Sequence, residues 1–276
     1  MSVDQDSPEQ PQRVAVVRDG ARLALTFDWP ERRNALDFAA WDQLSAGTDL
    51  ARDDDIRVVT LTGAGSAFCA GVEFAAIGES LRIERHRFPS FIRRWSEVAD
   101  RFERLAQPTV AAINGPAIGA GFEIALACDV RIASNKAVFA MPQLQMGIVP
   151  DVGGTSRLGR AAGAAFAKDI ILTGRVIGAE EALAHGIVSR VVPHDELPAV
   201  LDDIASTIAA IPWPAAYFAD LAIDFGRDLD SRHAADFEAV ADQVMLREEA
   251  VWDRVSAFME QRGLKGLDPT SRSASD

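Results

Sequence analysis

The parts of this sequence best suited to chemistry are two runs of small residues. The first is Thr62-Gly63-Ala64-Gly65-Ser66-Ala67-Phe68-Cys69-Ala70-Gly71-Val72, and the second is Asn114-Gly115-Pro116-Ala117-Ile118-Gly119-Ala120-Gly121-Phe122-Glu123. Each follows an apolar run with the look of a buried strand, and the second leads into a helix. Small side chains at such a place let a ligand come close to the backbone. Two backbone amides left unpaired and aimed at one point bind a developing oxyanion, worth about 3–4 kcal/mol of transition-state stabilisation per donor. A helix N-terminus beside them adds a partial positive charge. Taken singly, either run is also what a tight turn or a close helix–strand contact requires. The pair in this order, with Glu123 directly after the second, points to a site.

The elements that must position these loops follow from periodicity and breakers. Residues 14–17 and 23–27 read as strands joined by a hairpin turn at Asp19-Gly20. Helical spacing runs over 35–50, and 56–61 and 109–113 read as buried strands. A long charged helix is expected over 81–105, broken by Pro108. After a helix at about 122–127 come short strands at 130–133 and 137–139, then the loop Pro150-Asp151-Val152-Gly153-Gly154, with a helix opening at 155–158. From residue 161 the chain reads as mostly helical, over 161–172, 178–185, 196–210, 214–225 and 234–261. Strand, loop and helix thus recur before a helix-only third.

Composition narrows the function classes. With 28 Lys plus Arg against 41 Asp plus Glu, the formal charge is −13, which argues against a nucleic-acid groove or an anionic membrane surface. Cys69 and Cys128 are too few for a disulfide framework, and they read as small packing residues. No apolar run reaches membrane-spanning length and no leader is seen, so a reducing cytoplasm is the expected compartment. His86, His185, His194 and His233 have no ligand spacing, so no metal site is expected.

Further stretches join the two loops in one pattern. These are Asn34-Ala35-Leu36 after Pro30, Cys128-Asp129 after the second loop, Gly147-Ile148-Val149-Pro150 through Gly153-Gly154-Thr155, and Leu172-Thr173-Gly174-Arg175 with Gly186-Ile187-Val188. In this register, from about Arg13 to Arg262, the chain resembles the crotonase (enoyl-CoA hydratase/isomerase) superfamily. The resemblance implies an α/β fold: a spiral of ββα turns with an α-helical C-terminal trimerisation region. The expected division is a disordered tail over 1–12, a catalytic core over 13–200, a trimerisation region over 201–265 and a frayed tail over 266–276. It also implies CoA thioester substrates, with CoA entering as part of the substrate rather than as a resident cofactor, and a homotrimer or dimer of trimers.

Carried over by position, the oxyanion amides are those of Val72 and Ala120, the latter where the family usually has Gly. Main-chain groups of the segment containing Ala67, Phe68 and Ala70 are expected at the adenine half of CoA. Arg32 or Arg33 is a candidate phosphate partner, though each is equally a solvated surface Arg. Phe258 and Lys265 stand where relatives touch a neighbouring subunit's CoA. Phe88, Phe91 and Trp95 fall in or beside the helical segment that covers the acyl chain, and packing explains them equally well. His86 in that segment reads as a surface residue.

Hydratases of the family use two carboxylates, one at the position of Glu123 and one where this chain has Gln143. An amide cannot act as general acid or base. Asp151 offers another carboxylate, at a point where relatives that move double bonds carry an acid. As alternatives, Glu123 complements a helix dipole and Asp151 caps the helix near Thr155. The leading expectation is enolate formation held by the amides of Val72 and Ala120, with Glu123 and Asp151 as proton carriers, leading to hydration or isomerisation of an enoyl-CoA. The alternatives are a C–C bond hydrolase of a β-diketone or cyclic CoA ester, and a non-catalytic acyl-CoA-binding protein.

Overall fold

The alternation of apolar strands with amphipathic helices winds most of the chain into a spiral. A computed structural model describes residues 10–226, 229–247 and 249–264. The hairpin of β1 (Val14–Asp19) and β2 (Arg22–Phe27) turns at Gly20, whose φ is 56°, and leads to α1 (Phe38–Leu50). Then follow β3 (Val58–Gly63), α2 (Phe74–Ser80) and α3 (Phe88–Glu103), and after them β4 (Thr109–Ile113), β5 (Ala117–Ile118) and α4 (Ala120–Leu126). The next turn is β6 (Val130–Ser134), β7 (Val138–Ala140), α5 (Gly154–Ala162) and α6 (Ala164–Thr173). It is followed by β8 (Ile177–Gly178), α7 (Ala179–Ala184), β9 (Arg190–Val192) and α8 (Leu197–Ala209).

The strands sort into two sheets, one ordered β1-β2-β3-β4-β6-β9 and a smaller one ordered β5-β7-β8. Only β1 and β2 are antiparallel in the larger sheet; every later neighbour is parallel, because a helix-bearing crossover separates it from the last. Register stacks equivalent positions of successive turns. Leu25 pairs Leu61, Leu61 pairs Ala111, and Ala111 pairs Arg131. In the smaller layer Cys69 bridges Ala117, Ala117 pairs Phe139 and Phe139 pairs Ile177. This is the ββα spiral that the resemblance implies.

Two buried asparagines hold the turns of the spiral together. Asn34, in the left-handed region at φ 59°, accepts from Trp29 N through Oδ1 and donates through Nδ2 to the carbonyls of Ala64, Ala67 and Phe68. Asn114 Nδ2 donates to the carbonyls of Gly63 and Gly65. Their side chains supply what a loop without ladder partners lacks. Phe27 packs edge-on against Phe68 at 5.3 Å beside them.

The expected helix over 81–105 is divided: residues 81–87 form turns after α2, and α3 starts only at Phe88. Pro89 sits in the first turn of α3, where a missing N–H costs nothing. The expected helix over 234–261 is likewise divided. The chain forms one compact unit up to Ile208 and a second from Ala209 onward. The second holds α9 (Trp213–Gly226), α10 (Ser231–Met245) and α11 (Glu249–Gln261), with Phe237 of α10 against Phe225 of α9 at 5.3 Å. Asp230 caps α10 by accepting from the amides of Arg232 and His233. Of the expected tails, residues 1–9 and 265–276 lie outside the described residues, and 10–12 have no regular structure. No described helix is long and apolar enough to cross a membrane.

The Asn34 clamp generates a stability prediction. Asn34→Asp keeps the acceptor for Trp29 N but turns a carboxylate oxygen toward the carbonyl oxygens. A loss of about 3 kcal/mol or more in a urea melt is expected. A loss under about 1 kcal/mol would show that the loops do not depend on this side chain.

Candidate active site

The two small-residue loops meet because neither has a Cβ in the way. At Gly71 φ is 89°, and a Cβ there would stand 2.8 Å from the Ile118 carbonyl oxygen and 3.5 Å from Ala120 N. Gly119 has φ 53° and ψ −124°, a conformation that turns the chain into α4 and that L side chains rarely adopt. Hydrogen bonding steps around two amides. Leu36 N donates to Gly71 O and Glu73 N to Leu36 O, passing over Val72; Gly119 N donates to Ala140 O and Glu123 N to Gly119 O, passing over Ala120. Among the described residues the amides of Val72 and Ala120 have no acceptor. Both residues line a cavity of about 190 Å3, walled on another side by α2 and α3.

Glu123, on the first turn of α4, is 1% exposed. Its Oε1 accepts from the amides of Val152 at 3.0 Å and Gly154 at 2.9 Å, and its Oε2 from Gln143 Nε2 at 2.8 Å. Glu123 therefore supplies an acceptor to the N-terminus of α5. The expected alternative of Asp151 as that cap does not hold, because Gly153 is the N-cap and the side chain that meets the helix start is that of Glu123. Burial pushes the Glu123 carboxyl up to about 7, the Gly154 amide opposing it and the nearby Asp151 charge reinforcing it.

Among the described residues, Asp151 and Glu123 are the only ionisable side chains lining this cavity. Burial raises the Asp151 carboxyl as well, against a hydrogen bond from its own backbone amide. Gln143 also lines the cavity, and its Oε1 is buried without a partner. An amide offers both a donor and an acceptor, and its two ends are assigned from the network they join. Nε2 serves an ionised Glu123; turned over, Oε1 would accept from a protonated one. The arrangement can place an anion at two amides beside a carboxyl poised near neutrality.

Comparison with known proteins decides the family. The family model described as enoyl-CoA hydratase/isomerase matches residues 19–264. This chain belongs to that family. It is 35% identical over 256 residues to a short-chain-enoyl-CoA hydratase of Clostridium acetobutylicum, covering 92% of this chain and 97% of the relative. Its fold superposes on the crystal structure of an enoyl-CoA hydratase from Bacillus anthracis with a TM-score of 0.82 at 31% identity, covering 93% and 98% of the two chains. A putative enoyl-CoA hydratase from Thermobifida fusca in complex with acetoacetyl-CoA gives a TM-score of 0.79 at 29% identity, covering 85% and 95%. The chain is thus an enzyme of the hydratase/isomerase type.

The residues expected at CoA are placed differently from one another. Ala70 lines the cavity and donates its amide to the Arg33 carbonyl at 3.0 Å, which puts Arg33 one residue contact from it. Arg32 and Arg33 are exposed. Ala67 and Phe68 are buried, with the carbonyls of both taken by Asn34 and Phe68 N donating to Pro116 O. Of that run, Ala70 is the residue open to a ligand. Phe258 is exposed on α11 of the second unit, with the Arg262 guanidinium 3.7 Å over its ring, and Lys265 lies outside the described residues. Phe88 and Trp95 line the cavity, whereas Phe91 packs against Trp95 and His86 is exposed. Burial pushes the Cys69 and Cys128 thiols up to about 12, as small packing residues require.

Sequence reasoning missed Arg157. Its guanidinium donates to Val152 O at 3.0 Å and pairs with Asp100 at 2.7 Å and Glu103 at 2.6 Å. It thereby ties the loop that serves Glu123 to α3. The signal was an Arg within the first turns of a helix that packs on the core, paired with acids near the end of another helix.

The raised Glu123 carboxyl generates a pH prediction. Between its ordinary 4.5 and about 7 the folded chain keeps a proton that the unfolded chain has released. Its stabilising contribution is present below about 4.5 and is lost as pH rises through about 7. Asp151, also raised, acts in the same direction. The wild type should lose on the order of 2 kcal/mol through Glu123 between about pH 5 and pH 8. Glu123→Gln, which gives Gln143 Oε1 a donor, should lose correspondingly less. Urea melts at the two pH values check this, and an equal loss in both proteins would exclude a proton held by Glu123.

Proposed function

We propose that the chain isomerises an enoyl-CoA, moving a double bond from the 3 to the 2 position of the acyl group. The observation that carries this reading is the pairing of Glu123 with an amide, Gln143, while Asp151 supplies the other carboxylate of the cavity. The thioester oxygen would sit at the amides of Val72 and Ala120, which lack other acceptors, and accumulate charge as the enolate forms. Asp151, bonded only to its own backbone amide, would remove a proton from C2. Glu123, whose carboxyl keeps its proton to about pH 7, would deliver one to C4. Exchange with solvent returns the two carboxyls to their starting states. Arg32 and Arg33 would meet CoA phosphates, next to Ala70.

Hydration is the second reading, favoured by the two carboxylates of the cavity and by the hydratase names of the relatives. Incubation with 3-enoyl- and 2-enoyl-CoA in heavy-oxygen water separates the two. Isomerisation yields the 2-enoyl ester without heavy oxygen. Heavy oxygen in a 3-hydroxyacyl ester would make it a hydratase, and cleavage of the carbon skeleton a hydrolase.

Asp151→Asn should lower kcat by about 100-fold to 10,000-fold with little change in KM. Retention of activity would remove Asp151 from the chemistry. Ala120→Pro tests the other half of the site. Proline is tolerated at the first helical position, where the N–H has no intrahelical partner. The variant should fold with wild-type circular dichroism and lose about 100-fold to 1,000-fold in kcat. A folded, fully active Ala120→Pro protein would exclude that amide as an oxyanion donor.

A further inference from the structure

The cavity beside Glu123 is small and has the Trp95 side chain in its wall. Its volume of about 190 Å3 is below the roughly 300–1,000 Å3 of pockets that enclose drug-sized ligands. Phe74 and Leu81 stand at its open side, 78% and 68% exposed, while Trp95 is a buried part of its wall, 6% exposed. A second cavity of about 340 Å3 lies between α1 and α3, with Phe38, Trp41 and Phe91 in its wall and Trp95 again. Among the described residues, Trp95 is the only one that borders both cavities. Its indole stacks on Trp41 at 5.3 Å and meets Phe91 edge-on at 4.9 Å.

We propose that Trp95 is the specificity-determining residue for acyl length, its indole forming the wall between the two cavities. This rests on the acyl-CoA reading of the site. With the thioester at Val72 and Ala120, the acyl group enters a cavity of about 190 Å3 that has the indole in its wall. That suits acyl groups of about four to six carbons, and each methylene that finds no room costs about 10-fold or more. Beyond the indole the second cavity continues with aromatic walls. Its wall also carries Asp42, Arg94, Glu97 and Arg101, of which the first three are exposed and Arg101 is half-buried, so a long apolar chain would meet no fully buried charge there. A shorter side chain at position 95 joins the two spaces.

The test is calorimetric binding of saturated butyryl-, hexanoyl- and decanoyl-CoA, which carry no double bond to react, to wild type, Trp95→Ala and Trp95→Phe. The readout is the ratio of the decanoyl Kd to the butyryl Kd, which does not depend on the fraction of protein folded. In the wild type the ratio should exceed about 10, and Trp95→Ala should lower it by about 10-fold or more, with Trp95→Phe between. Equal binding of butyryl and decanoyl esters by the wild type would overturn the proposal. So would a wild-type ratio in both variants. Failure of the wild type to bind any of the esters would instead overturn the acyl-CoA reading, and the role of Trp95 with it.

Discussion

A carboxyl group cut off from water must be hydrogen-bonded or neutral, and Glu123 makes that demand on much of the molecule around it. Two of its acceptor bonds are met by backbone amides at the start of α5 and one by Gln143. Those amides point inward only because the loop before α5 takes its observed path, with Gly153 in the left-handed region. The loop is in turn gripped through the Val152 carbonyl by Arg157. Arg157 is anchored on Asp100 and Glu103 of α3, the same helix that presents Trp95 to the cavity. Glu123, the loop and α3 are therefore one hydrogen-bonded assembly rather than separate parts.

Gln143 changes the electrostatics of that assembly as well as its chemistry. A second carboxylate in its place would repel Glu123 across a short distance and raise the proton affinity of one of them. The amide removes that repulsion and contributes a donor, so the remaining like-charge neighbour is Asp151. Proton affinity at Glu123 is then set mainly by burial.

Those parts of the fold governed by local pattern were legible in the sequence. Residues 109–113 are uniformly apolar or β-branched and form β4 with the expected bounds. The glycine loops and Glu123 were identified by type and order, and the structure brings both loops and Glu123 to one cavity. Long-range needs were less legible. The clamp made by Asn34 reaches carbonyls about thirty positions away, and nothing in its local neighbourhood announces them. The late start of α3 within 81–105 was signalled by Pro89 but outweighed by the run of charged and apolar residues around it. The break before α11 has no glycine or proline to mark it. The alternative reading of Asp151 as a helix cap rested on its spacing from α5, yet a carboxylate from α4 occupies that role.

Gly154 adds a constraint of another kind. A Cβ there would come within 2.6 Å of Glu123 Cγ and 2.7 Å of its Oε1. Position 154 is bare because position 123 is filled, so the two residues form a single heritable unit. A lineage that drops the carboxylate releases position 154 to drift, and any side chain acquired there bars the way back. In this fold, loss of the buried acid would act as an evolutionary ratchet.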